Sequence, residues 1–257
     1  MKRGFLALLA LIAMAIGQSA WPMDVQISTG AYPPWSGEKL PFGGCANRIV
    51  REAFRREGVT VHFRYVPWPR AMAMLRSGEV AASSYWAHDP VRDKDFLLSD
   101  SLFEDRWLLF HLRTTPLPPW QRLSDLSAFR FGLTRSYTYT RELWDLVNKG
   151  VLKAEIAPDD ATNLHNLLAG LVDIVPMDQY SGWLLLSSVP ATAAARNLVT
   201  TDEQALNITP AYLLIIKNAN GDHLRALFNA GLAQMKADGT LKSYQQTLTR
   251  NSASAPK

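Results

Sequence analysis

Twice along this chain a strand, a helix, a second strand, a second helix and a third strand follow one another with short links, and this doubled order restricts the fold more than any other feature. The first run begins with a strand at Val25–Thr29. A helix over about Ala46–Glu57 is stopped by Gly58, and a strand at Thr60–Tyr65 alternates Val61, Phe63 and Tyr65 with His62 and Arg64. Pro69 suits the first turn of the next helix, which ends at Gly78, and Val80–Ser84 is the third strand. After the Pro-rich connector "TTPLPPW" the order restarts with a strand at Phe129–Leu133, a helix at Tyr139–Asn148, a strand at Lys153–Ala157, a helix at Asp160–Ala169 and a strand at Val172–Pro176. Alternation with short links favours parallel sheets covered by helices, and two such runs imply two lobes.

Each run presents a charged residue just past its third strand, Arg92 in the first and Asp178 in the second. Ligands of open α/β sheets sit outside the carboxyl ends of the strands, where helix N-termini and loops leave polar groups unpaired. A cation facing an anion across a cleft would suit a small zwitterion, its carboxylate on Arg92 and its ammonium on Asp178. An ordinary surface ion pair fits the spacing equally well.

The opening, "MKRGFLALLALIAMAIGQSAW", places Lys2 and Arg3 before an apolar run too short to span a bilayer. A cleavable secretory signal over residues 1–20 is expected, with export to the periplasm and a mature start between Gln18 and Asp24; an uncleaved anchor is the alternative. Loss of Lys2 and Arg3 takes the basic count from 27 to 25 against 23 acidic residues, a near-neutral balance that does not indicate a nucleic-acid surface. Cys45 is the single cysteine, so no internal disulfide can form. With no Cys or His pairs at ligand spacing, neither a metal nor a cofactor is expected.

A strand at Ala211–Lys217 precedes two final helices, the first capped near Asp222 with a stripe of Leu224, Leu227, Phe228 and Leu232. These helices are expected to pack back on the first lobe, so that the chain crosses between lobes twice. Residues 24–112 with 209–250 then form lobe 1, 113–208 form lobe 2, and 251–257 form a disordered tail. Arg48, Arg51, Arg55 and Arg56 read as the solvated face of the helix whose other face is Ile49, Val50, Ala53 and Phe54.

The segments "GAYPPW", "VPWPRAMAMLRSGEVAASSYW", "DPVRDKDFLLSD", "LSDLSAFRFGLTRSYTY", "NLLAGLVDIVPMD" and "AGLAQMKADGT", in this order, resemble bacterial extracellular solute-binding proteins of family 3 over essentially the whole mature chain. The family comprises periplasmic receptors that feed polar amino acids to ABC importers. The resemblance implies an α/β, two-lobed, periplasmic-binding-protein-like fold of type II, with parallel-dominated sheets and a hinge of two crossing strands. It also implies that Arg92 clamps a ligand carboxylate and Asp178 holds an ammonium. Tyr32 and Trp68 would sandwich the ligand side chain, Ser84 would supply a first-lobe hydroxyl, and the backbone N–H of Thr138, at the entry to a second-lobe helix, would bind the carboxylate. A small-molecule ligand, an amino acid or related carboxylate, together with the membrane subunits of an ABC importer and a monomeric state, completes what the family implies.

The chain departs from the family pattern at Tyr85, Trp86, Ala87 and His88, where small or hydroxyl residues are usual, and at Ser136, where glycine is usual. The cleft should therefore be more aromatic. Trp35, Tyr85 and Tyr137 join the candidate ligand contacts, and Arg135 could add a second positive charge, although a surface position suits it equally. Each candidate has a plain structural alternative. Arg92 can pair with Asp89 or Asp93, Asp178 can cap the helix starting near Gln179, and Tyr32 and Trp35 can cover a lobe edge.

Three functions compete. A non-catalytic receptor closing on a small solute leads. A cyclohexadienyl- or prephenate-type dehydratase on the same fold would need a carboxyl of raised pKa at a leaving hydroxyl. A detached sensor module would act through a separate membrane partner.

Overall fold

The computed structural model describes residues 23–135, 137–188 and 196–252; the expected signal segment and residues 253–257 of the expected tail lie outside them. The first run is β1 (Met23–Thr29), α1 (Cys45–Arg56), β2 (Val59–Tyr65), α2 (Trp68–Arg76) and β3 (Ala82–Ala87), followed by β4 (Phe96–Leu98) and the long β5 (Phe103–Leu112). The second is β6 (Arg130–Thr134), α3 (Arg141–Asn148), β7 (Lys153–Ala157), α4 (Asp160–Leu168) and β8 (Val175–Asp178). Then come α5 (Gln179–Ser188), β9 (Val199–Thr201), the long β10 (Asn207–Ile216), α6 (Ala219–Ala237) and α7 (Thr240–Ser252). Residues 251 and 252, assigned to the tail from sequence, continue α7.

Local chemistry explains most boundaries. Ile49, Val50, Ala53 and Phe54 bury one face of α1, and Gly58 ends it with a φ of 73°. Pro69 occupies the first turn of α2, where a missing N–H costs nothing. Side chains of Thr140, Asp159 and Asn218 accept hydrogen bonds from backbone N–H groups of α3, α4 and α6. Asn218, rather than the expected Asp222, therefore caps α6, because its amide oxygen reaches the Gly221 N–H.

The main sheet runs in the order β2-β1-β3-β10-β5-β8, with β4 also on β10 and β9 on β5; β6 and β7 pair separately. Parallel pairing holds for β1–β2, β1–β3 and β6–β7. Around β5 and β10 every pairing is antiparallel, so the sheet is mixed where the sequence suggested a parallel-dominated one. Residues 211–216 of β10 pair with β3 and β4, and residues 207–211 pair with β5. Further along, β5 pairs with β8 and β9. These two strands carry the chain between the lobes.

One core gathers Ile27, Ile49, Phe54, Phe228 and Leu232 beneath β1–β3, and α6 packs there on α1. Gly231 permits the approach, since a Cβ there would stand 1.9 Å from the Ala53 carbonyl oxygen. Two further clusters, around Leu109, Phe131 and Leu143 and around Phe110, Leu164 and Val175, flank the opposite end of β5. Each fully buried Leu or Phe contributes about 1.5–3 kcal/mol. The arginines of α1 are not simply solvated. Arg48 lies over the Phe42 and Tyr244 rings, and Arg56 pairs with Asp238 at 2.6 Å, because α7 covers that flank.

Candidate functional site

A bulge in β3 shapes the cleft. Tyr212 of β10 pairs with Trp86 and Leu214 with Ser83, so β3 carries one residue more than its partner between those points. Tyr85 takes up the excess with a φ of 68°, a left-handed conformation that costs a non-glycine residue about 1–2 kcal/mol. Its ring thereby lies 5.9 Å from Trp35 and 5.8 Å from Phe103, stacked with both. The hydroxyl donates to an Asp105 carboxylate oxygen, while the other oxygen of Asp105 is buried without a partner. Beside it in the bulge, the Ser84 hydroxyl is also buried and unpartnered.

The loop after β1 brings Trp35 to the same place. Ser36 ties the loop down by donating to the Gly30 carbonyl and accepting from Asn47, and the Trp35 indole stacks on Phe103 at 4.1 Å. Its Nε1–H donates to Asp178 Oδ1 at 2.8 Å. Asp178 ends β8 rather than following it, and stands opposite Trp107 of β5. The backbone N–H groups of Tyr180 and Ser181 donate to that same oxygen, so Asp178 caps α5, and Oδ2 is left buried and unpartnered. Burial pushes this carboxyl up to about 6, against the pull of its hydrogen-bond donors. Asp105 is raised as well, by burial and then by the charge of Asp178.

Tyr137 closes the cluster, edge-on to Tyr32 at 5.9 Å and to Trp107 at 6.1 Å. Its hydroxyl donates to Asp160 Oδ2 at 2.9 Å, and Thr134 donates to Oδ1 at 2.6 Å. Burial raises the Asp160 carboxyl too. Tyr32, 7% exposed, keeps a buried hydroxyl with no partner. A cavity of about 270 Å³ opens between Tyr32, Tyr137, Asp160, Ser181 and Leu185. Among the described residues no Lys, Arg or His forms an ion pair with Asp105, Asp160 or Asp178. No group of three or more metal-ligating side chains occurs among them either.

The structure thus brings together Tyr32, Trp35, Tyr85, Tyr137 and Asp178, with Trp68 against Tyr85 at 6.3 Å. Trp68 lies flat over Gly30, where a Cβ would come within 2.3 Å of the indole. Arg92 stands apart, behind Trp86. Its guanidinium donates to the Ala87 carbonyl at 2.7 Å, lies over the Trp86 ring at 5.2 Å and sits 3.8 Å from Asp89. Trp86 itself packs edge-on to Trp68 at 5.2 Å and donates to Ser83, so one indole touches both Trp68 and Arg92. Arg135 is exposed. Thr138 is an exposed loop residue and not a helix N-terminus, because α3 starts only after the Thr140 cap.

Sequence reasoning passed over Phe103, Asp105, Trp107, Asp160 and Tyr180. One signal was available. Residues 103, 105 and 107 of "FEDRWLLF" share one face of a strand, and a carboxylate flanked there by two aromatics is out of place in a plain core.

Residues 25–249 match the family model of bacterial extracellular solute-binding proteins, family 3. No curated protein matches the chain in sequence. Among solved structures, an ancestral arginine-binding protein bound to arginine is 19% identical with a TM-score of 0.70, over 88% of this chain and 97% of that one. A histidine kinase sensor domain with similarity to periplasmic binding proteins is 19% identical with a TM-score of 0.72, over 88% and 96%. The GluR0 ligand-binding core from Nostoc punctiforme in complex with L-glutamate is 16% identical with a TM-score of 0.69, over 87% and 98%. The two-lobed α/β fold is the one these proteins share.

Proposed function

The chain belongs to the bacterial extracellular solute-binding proteins of family 3, and from that membership we propose that it is a non-catalytic periplasmic receptor that captures a small polar solute between its lobes and delivers it to an ABC importer. The observation that carries this reading is the Trp35–Asp178 hydrogen bond, which joins the loop after β1 to the end of β8 inside a ring of aromatic side chains. Residues 24–112 with 209–250 act as one lobe and 113–208 as the other, hinged on β5 and β10. Tyr32, Trp35, Trp68, Tyr85 and Tyr137 form the walls, and Asp178 receives the ammonium group that amino-acid-type solutes carry.

Thermal unfolding with amino acids, amines and dicarboxylates tests the reading. A cognate solute at about a hundred times its Kd adds roughly 2.7 kcal/mol to stability, a shift of several degrees. No shift with any class would remove the receptor reading. The solute should also be recovered chemically unchanged after incubation, whereas turnover would favour the dehydratase. The similarity to a kinase sensor domain favours one second reading, a module that reports to a membrane partner instead of feeding an importer. Deleting the protein would then abolish a transcriptional response to the solute while leaving its uptake intact.

A further inference from the structure

Resting on the receptor reading, we propose that the solute is an organic cation without a carboxylate of its own, an aliphatic diamine, and that Asp105 on the crossing strand β5 is its second anchor beside Asp178.

Charge inventory is the first support. Asp105, Asp160 and Asp178 accept hydrogen bonds from Tyr85, Tyr137 and Trp35 of the aromatic cluster, and none has an ion-pair partner among the described residues. The free oxygens divide them. Both oxygens of Asp160 accept hydrogen bonds from Thr134 and Tyr137, but Asp105 Oδ1 and Asp178 Oδ2 are buried without a hydrogen bond, the buried Ser181 hydroxyl being the side-chain donor that lies next to Asp178. Buried carboxylate oxygens without donors are costly, and a ligand N–H is what would satisfy them. The Tyr32 hydroxyl, likewise buried and unpartnered, feels the charges of Asp178, Asp160 and Asp105 together, so it too stands where an ammonium group could donate to it.

The walls suit the same ligand. Trp35, Tyr85 and Phe103 form a stack with planes within 29° of one another, and the negative faces of such rings attract cations and alkyl ammonium groups.

A zwitterion fits less well. Its carboxylate would enter a space that already holds three acids, and it would need a cation to meet it. Arg92 already donates to the Ala87 carbonyl, lies over the Trp86 ring and stands 3.8 Å from Asp89, which leaves its buried Nε as the free donor, and Arg135 is exposed.

Calorimetry on the mature chain separates these ligands. The probes are α,ω-diamines of three to six carbons, the matching monoamines, and ornithine and lysine, which are two of those diamines bearing a carboxylate. A diamine should bind about tenfold or more tighter than its monoamine and its amino acid, and Asp105→Asn should bring the diamine down to the monoamine's affinity. Arg92→Ala should change diamine binding by less than about twofold. Folding of the Asp105→Asn variant is checked by its melting temperature without ligand, which should rise because a buried unpaired charge has been removed. Ornithine or lysine binding tighter than the diamine and lost in Arg92→Ala, or diamine binding indifferent to Asp105→Asn, would overturn the proposal and leave the receptor reading standing. Absence of binding by every amine, amino acid and dicarboxylate would overturn both.

Discussion

Trp35 and Asp178, 143 positions apart, share a 2.8 Å hydrogen bond at a point where neither is exposed by more than 2%. It fastens the loop after β1 to the end of β8 through a carboxylate that also caps α5. Trp35→Phe would keep the stacking on Phe103 and remove the donor. The variant should lose about 1–2 kcal/mol of stability, and its radius of gyration by small-angle scattering should increase. An unchanged radius together with unchanged stability would show that the bond does not hold the lobes.

Stability should vary with pH in a window set by these acids. Asp178 titrates near 6 when folded and near the ordinary carboxylate value when unfolded, so between about pH 4 and 6 the folded chain binds the extra proton. Stability from this group therefore falls as pH rises through the window, by about 3 kcal/mol at most. Asp105 acts in the same direction. Glu52 and Asp238, both held down to about 2 mainly by hydrogen bonds, act oppositely, and their stabilisation is lost as pH falls from about 4 toward 2. The melting temperature of the unliganded protein should peak near pH 4–5. Amine binding should weaken as pH falls, because it requires both Asp178, raised to about 6, and Asp105, also raised by burial and by the charge of Asp178, to be ionised.

Asp178→Asn separates the cap from the charge. Asparagine caps helices as well as aspartate, so the fold should survive with a flatter pH–stability profile between about pH 4 and 6. Binding of an amine ligand should weaken about thirtyfold or more, while a ligand without an amine should be spared. Equal losses for both would identify Asp178 as a cap alone.

Cys45 should be inert in the native protein. Its thiol is buried at the start of α1, faces the Tyr244 carbonyl oxygen at 3.7 Å, and is pushed up to about 12 by that burial. A thiol reagent at pH 8 should titrate it only after unfolding, and non-reducing electrophoresis should show no disulfide-linked dimer.

The order of strands and helices was legible because each element carries its own signal: alternation in β2, an apolar face on α1, and glycine stops after both helices of each run. Asp178 was legible because a cap at the end of a strand and a cleft carboxylate occupy one position. Tyr85 was named from its sequence neighbours, but the bulge that aims it depends on register against β10, more than 120 residues away, and no local pattern encodes that. Arg92 shows the converse difficulty. Its position in the chain matches the family pattern, yet its contacts with the Trp86 ring and the Ala87 carbonyl depend on the local path of β3, which spacing alone does not reveal. Asp105 is hard to see from sequence because the continuous apolar run begins only at Trp107, while the alternation that shows its face lies in Phe103–Asp105 before it.

The ladder between β5 and β10 has a mechanical consequence. Because residues 103–107 hydrogen-bond to residues 207–211, the two crossings cannot bend separately. Displacement of one lobe against the other then reduces to rotation about a single axis, and one interlobe distance, followed with a pair of spin labels, would trace the whole trajectory.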